Sequence, residues 1–157
     1  NHGSNASINI IYSGTMSAAM EASLEGIKSI GFSLMDFSFE ADFTASKHYA
    51  EKVIRLMLAH EGDANLLLNV NIPKLSLEDI KGMRICEQGR GLWHEEFMES
   101  QDPRGEKYYW LTGRFNSDTS NENSDLHALD EGFVSIVPSQ FDLTNYSAMR
   151  NIKYFED

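Results

Sequence analysis

Leu66-Leu67-Leu68-Asn69-Val70-Asn71-Ile72-Pro73 is a continuous apolar run that ends in Asn-x-Asn and is closed by a proline. A strand covered on both faces reads this way, because neither face has to turn polar side chains to water. Helical segments stand ready to cover it. From about Asp42 to His60, Phe43, Ala50, Val53, Ile54, Met57 and Leu58 fall near one helical face, with Lys52 and Arg55 turned away. Further upstream, Ser13-Gly14-Thr15 stands before Met16-Ser17-Ala18-Ala19-Met20-Glu21-Ala22-Ser23-Leu24-Glu25, small residues and good helix formers that stop at Gly26. Ile27 to Leu34 then alternates like a strand. Helices alternating with buried strands predict an α/β layer, and the small residues of the first helix let it lie close to the sheet.

Downstream of the buried strand the pattern changes. A short helical stretch is expected around Ser76 to Ile80, after which aromatic and charged residues take over with strand periodicity. Asp102-Pro103-Arg104-Gly105 fits a type I turn between strand-like flanks, Trp93 to Ser100 and Glu106 to Arg114. This predicts a β-hairpin arm over about residues 88–115. Tyr108 and Trp110 face one side of it and Tyr109 and Leu111 the other, so the arm is apolar on both faces and is expected to pack on another subunit. The alternative is a hairpin folded back on its own domain. Phe115 to Ser124 reads as a solvated loop, Asp125 to Asp130 as a helical turn, and Phe133 to Val137 as a short strand terminated by Pro138. A final helix is expected at about residues 145–154. With no repeat or linker, residues 1–157 read as one domain.

Size and charge bound the function. At 157 residues and 41% hydrophobic residues, one packed core is feasible. With 24 acidic against 13 basic side chains, the formal charge of -11 repels a polyanion, which argues against nucleic-acid duplexes but leaves small phosphate esters as ligands. The single cysteine, Cys86, lies in an apolar stretch and reads as a buried structural thiol. That usage suits a reducing compartment, and the expected location is cytoplasmic. Residues 1–20 hold no Asp, Glu, Lys or Arg, yet Asn, Ser, His and Gly interrupt them too often for a membrane span or signal core.

The chemistry concentrates in Asn1-His2-Gly3-Ser4-Asn5 and Tyr12-Ser13-Gly14-Thr15. A helix amino end presents unpaired N–H groups and a partial positive charge, as a phosphate dianion requires. Ser13 and Thr15 add hydroxyls and Gly14 leaves the approach open, although Ser-Gly-Thr ahead of a helix also serves as a plain cap. Asn1 and Asn5 offer carboxamide oxygens to a hard cation. Such a site needs carboxylates, and none precedes Glu21, so further ligands are expected upstream of Asn1 in a chain that looks cut. A free α-ammonium at Asn1 would oppose cation binding. The other reading of this loop is a hydrogen-bonded turn, since Asn, Gly and Ser are all turn residues.

Asn1-His2-Gly3-Ser4-Asn5, Tyr12-Ser13-Gly14-Thr15-Met16-Ser17-Ala18-Ala19 and Asp102-x-x-Gly105-Glu106-Lys107-Tyr108-Tyr109-Trp110, in that order, resemble the SurE family of survival-protein nucleotidases. Leu68-Asn69-Val70-Asn71-Ile72-Pro73 and Glu131-Gly132-Phe133-Val134-Ser135-Ile136-Val137-Pro138 extend the likeness over nearly the whole chain. The resemblance implies a Rossmann-like, SurE-like three-layer α/β fold, incomplete at its amino end, with a protruding β-hairpin arm. It implies hydrolysis of nucleoside 5′- or 3′-monophosphates with one divalent cation, Mg²⁺ or Mn²⁺. By the same likeness Asn1 is a metal ligand, while Asn5, Ser13, Gly14 and Thr15 contact phosphate. The family's other ligands, an Asp-Asp pair and a serine, have no counterpart here, so no catalytic residue is assigned in this chain. Asn9 stands where the family more often has aspartate, which removes a carboxylate from the pocket. A homodimer or homotetramer through the arm and the C-terminal segment is expected.

Other candidates are weaker. His94-Glu95-Glu96-Phe97-Met98 begins like a zincin helix but has methionine where the second histidine is needed. His48 and His60 read as surface or capping residues. His2 reads equally as a phosphate donor or as turn packing, and Tyr108, Tyr109 and Trp110 as packing rather than base-stacking groups. Three readings follow: a nucleotidase, an assembly or binding module silent without the upstream half, and a purely structural α/β domain that binds no phosphate at the Ser13 turn.

Overall fold

The computed structural model describes residues 1–156. Its centre is a four-stranded sheet of β1 (Ser29–Leu34), β2 (Leu67–Ile72), β3 (Met83–Ile85) and β6 (Val134–Ser139), ordered β1-β2-β6-β3. β1 runs parallel to β2 and β3 parallel to β6, while β2 and β6 are antiparallel, so the sheet is mixed. The remaining strands, β4 (Arg90–Gln101) and β5 (Lys107–Asp118), form a separate two-stranded sheet.

Helices cover both faces, giving the expected three-layer α/β arrangement. α1 (Gly14–Leu24) lies on the face carrying Gly31 and Leu67, with Met16 and Ala19 buried there. The approach is close: a Cβ on Gly31 would stand 2.2 Å from Met16 Sδ. Gly26 ends the helix at φ +75°, and Ile27 N–H donates back to Ala22 O at 3.0 Å, a glycine stop of the Schellman kind. α2 (Thr44–Ala59) covers the opposite face, where Leu34, Val70, Ile72, Val134 and Ile136 form the main core. Its buried stripe is Ala45, Tyr49, Val53 and Met57, a four-residue spacing. Ile54 and Leu58, expected on that face, are 43% and 77% exposed, because the stripe has rotated to bring Tyr49 inward.

Four further segments differ from expectation. Residues 76–80 make a turn rather than a helix, Asp79 and Ile80 N–H both donating to Ser76 O. β5 runs on through Asn116, Ser117 and Asp118, which pair with Leu92, Gly91 and Arg90, so cross-strand pairing overrides a loop-like composition. β6 continues one residue past Pro138; β3 ends at the Ile85–Ile136 register, so Pro138 falls where β6 has no partner on that side and a missing donor is tolerated. α3 (Asp125–Asp130) is capped by Ser124 and leads through Gly132 into β6. The C-terminal segment forms a shorter helix than foreseen, α4 (Tyr146–Asn151), followed by a 3₁₀ turn at Lys153–Phe155.

The hairpin projects rather than folding back. Its turn is tied by Asp102, whose Oδ1 accepts from Arg104 N and Glu106 N, with Gly105 at φ +84°. Phe97, Trp110 and Leu111 are 70%, 56% and 60% exposed, so both faces present apolar surface. Cys86 is buried among Ala128 and Val137, and burial pushes its thiol up from the ordinary value. Among the described residues no helix is long and apolar enough to cross a membrane.

Candidate functional site

In a strand, residues two apart share a face. Ser33 on β1 and Asn69 and Asn71 on β2 therefore point to the α1 side, where the Asn1–Asn5 loop lies over the carboxyl ends of both strands. All three are buried, and buried amides must be partnered. Asn71 Oδ1 accepts from Asn5 N at 2.8 Å and its Nδ2 donates to Asn69 Oδ1 at 3.0 Å. Asn69 Nδ2 in turn donates to Asn5 O at 2.9 Å. Asn5 Nδ2 donates to Ser33 Oγ, and Ser13 Oγ donates to Asn5 Oδ1 at 2.7 Å. This network clamps the loop onto the sheet and ties it to the start of α1.

Ser13 is the N-cap: its Oγ accepts from Met16 N at 3.1 Å, and its carbonyl from Ser17 N at 2.9 Å. Two of the first four helical amides are thus satisfied. Those of Gly14 and Thr15 have no acceptor among the described residues, and nothing lies within 4 Å of a Cβ built on exposed Gly14. The open donors are therefore Gly14 N–H, Thr15 N–H and the Thr15 hydroxyl. Asn5 and Ser13 meet beside them, with Ser13 Oγ engaged at both its donor and acceptor sides.

Asn1 pairs with the end of β1. Its N–H donates to Phe32 O at 3.2 Å and its carbonyl accepts from Leu34 N at 3.0 Å, while the exposed carboxamide makes no hydrogen bond among the described residues. It can serve as one neutral oxygen donor. A full cation shell is not present here, because no three His, Cys, Asp or Glu side chains of the described residues come together. His2 packs its ring edge against Phe43, 5.0 Å between centroids, which is the turn-packing role. Next to it Asp36 accepts from Ser38 N and Lys74 Nζ, and these bonds hold its carboxyl below the usual carboxylate range. His94 lies on β4, not on a helix, opposite Arg114.

The sequence alone assigns no role to Ser33, Asn69 and Asn71. The signal for them is the pair of asparagines two apart inside an apolar run, which places two amides on one buried face. Asp125, buried and bound to two backbone amides, carries no such signal, since its partners are Ser7 and Gly89.

A mixed sheet between helices, with an Asn- and Ser-rich loop and an open helix amino end at the carboxyl ends of two parallel strands, defines a Rossmann-like α/β protein. Residues 1–95 match the family model described as survival protein SurE. The chain is 48% identical over 152 residues to the 5′-nucleotidase SurE of Flavobacterium johnsoniae, covering 97% of this chain and 59% of that protein. It is likewise 48% identical over 152 residues to the 5′-nucleotidase SurE of Christiangramia forsetii, covering 97% and 58%. The crystal structure of the SurE protein from Aquifex aeolicus superposes with a TM-score of 0.82 at 36% identity, over 100% of this chain and 63% of that one. The chain belongs to the SurE family. It spans about 60% of the length of the relatives it matches.

Proposed function

We propose that this chain forms the phosphate-holding part of a nucleotidase, a phosphoric monoester hydrolase acting on nucleoside 5′- or 3′-monophosphates. The observation that carries the reading is the exposed start of α1, where the Gly14 and Thr15 amides and the Thr15 hydroxyl lack acceptors in a member of the SurE family. A helix amino end with free amides favours a dianion. Asn5 and Ser13 orient that end through their mutual hydrogen bond; Asn5 keeps one amide hydrogen for phosphate, whereas Ser13 reaches phosphate only by turning its hydroxyl proton away from Asn5 Oδ1. Asn1 would offer its carboxamide oxygen as one ligand to a divalent cation, Mg²⁺ or Mn²⁺. When bound, the cation polarises the phosphoryl group. The free thiol of Cys86 fits a cytoplasmic location.

Gly14→Pro tests the phosphate site. Gly14 is the first helical residue and Ser13 before it is extended, at φ -85° and ψ 115°, so proline fits there while removing one donor. Inorganic phosphate or a nucleoside monophosphate, followed by calorimetry with Mn²⁺ present, should bind about 10- to 100-fold more weakly to this variant than to Gly14→Ala. Equal affinity for both variants overturns the assignment.

A second reading is an assembly module without turnover, favoured by the two exposed apolar faces of the hairpin and by the C-terminal residues Leu143, Tyr154 and Phe155, 86%, 78% and 73% exposed. Both segments suit homodimer or homotetramer contacts. Phosphate binding without hydrolysis of nucleoside monophosphates in the full-length protein, together with stable oligomers, selects this reading.

A further inference from the structure

Asp125 is fully buried at the start of α3, and among the described residues it forms no ion pair with Lys, Arg or His. Its two oxygens face two different segments. Oδ2 accepts from Ser7 N at 2.8 Å, and Oδ1 accepts from Gly89 N at 2.8 Å. Ser7 opens the 3₁₀ turn Ser7–Tyr12, which runs directly into the Ser13 cap, and it is held in the left-handed region at φ +64°. Gly89 is the residue before β4, the root of the hairpin. The contact there is tight, since a Cβ on Gly89 would lie 2.6 Å from Asp125 Oδ1. Asp125 N–H donates to Glu87 O at 2.9 Å, which fastens the same stretch a second time. Burial raises the Asp125 carboxyl, while the amides of Ser7, Gly89 and Leu126 pull it down. Only an acceptor at both oxygens satisfies both amides; a carboxamide presents one acceptor and sets its NH₂ against the second N–H.

We infer that Asp125 is a positioning residue that couples the root of the hairpin arm to the loop that carries the α1 cap, so that displacement of the arm is transmitted to the open end of the helix. The coupling itself rests on the geometry of Ser7, Asp125 and Gly89. Its effect on phosphate rests on the function proposed above.

The test introduces a change at one end and reads the other by amide hydrogen exchange. Gly89→Ala forces a methyl group against Asp125 Oδ1 and should speed exchange across Ser7–Tyr12 about tenfold or more, with β2 amides unchanged. Asp125→Asn should release Ser7 or Gly89 in the same way and weaken inorganic phosphate binding several-fold, since only one of the two amides keeps its acceptor. If Gly89→Ala alters exchange only around residues 87–91 and leaves Ser7–Tyr12 as in the unmodified protein, the coupling is wrong, whatever the fate of Asp125→Asn. If the loop responds to Gly89→Ala but the unmodified protein binds no phosphate, the coupling stands and the phosphate reading falls.

Discussion

Replacing Asn71 by alanine should remove the centre of the polar network beneath the loop. Two buried groups lose their partners at once: Asn5 N–H, 2.8 Å from Asn71 Oδ1, and Asn69 Oδ1, 3.0 Å from Asn71 Nδ2. Ser4 Oγ, at 3.5 Å and on an exposed residue, turns to water at little cost. An orphaned buried donor or acceptor costs about 1–3 kcal/mol, so the pair costs about 2–6 kcal/mol before any cavity is counted. Against a typical stability of about 5–15 kcal/mol this is a large fraction. Equilibrium urea denaturation reads it: with m about 1–3 kcal/mol per molar, the midpoint should fall by about 1 M or more at unchanged m. A loss below about 0.5 kcal/mol would mean that the loop amides find other acceptors, and that the network does not clamp the loop.

Two further outcomes follow from contacts described above. Gly31→Ala drives a methyl group into buried Met16 Sδ and should cost about 1–3 kcal/mol in the same urea assay, through overpacking of α1 on the sheet; a neutral result would show that Met16 can swing aside. The bonds from Ser38 N–H and Lys74 depress Asp36 below its ordinary 3.8 in the folded state, so its contribution is present above that value and is lost as the pH falls through the lower folded value. Asp36→Asn should therefore be the less stable protein near neutrality and match the parent in strong acid, as followed by thermal unfolding across pH; a gap independent of pH contradicts the assignment.

The layered core is legible in the residues wherever local chemistry decides. Ser13 caps, Gly26 stops, and Asp102 with Gly105 turns the hairpin, each by a conformation or hydrogen bond confined to a few neighbours. The 3₁₀ turn at Ser7–Tyr12 is different. Ser7 is held through Asp125, 118 positions away, and nothing near it announces the conformation. The rotation of α2 that buries Tyr49 and exposes Leu58 is likewise set by how the helix meets Leu34 and Val70. At the candidate site, a helix start after Ser13 can be read from composition. That Asn5 is held by Ser13, Ser33, Asn69 and Asn71 requires three separate segments to be placed side by side.

The hairpin ladder joins residues from 6 positions apart, Gln101 with Lys107, to 28 apart, Arg90 with Asp118. The β2–β6 ladder joins residues from 64 apart, Asn71 with Ser135, to 72 apart, Leu67 with Ser139. Short loops close at less entropic cost and on a timescale of about microseconds, whereas distant pairings come later. The arm therefore takes shape before the body is sealed, displaying Phe97 and Leu111 while the nascent chain is still open. Glu95, Glu96 and Glu99 along its first strand then act as gatekeepers, their like charges holding the exposed arms of neighbouring chains apart.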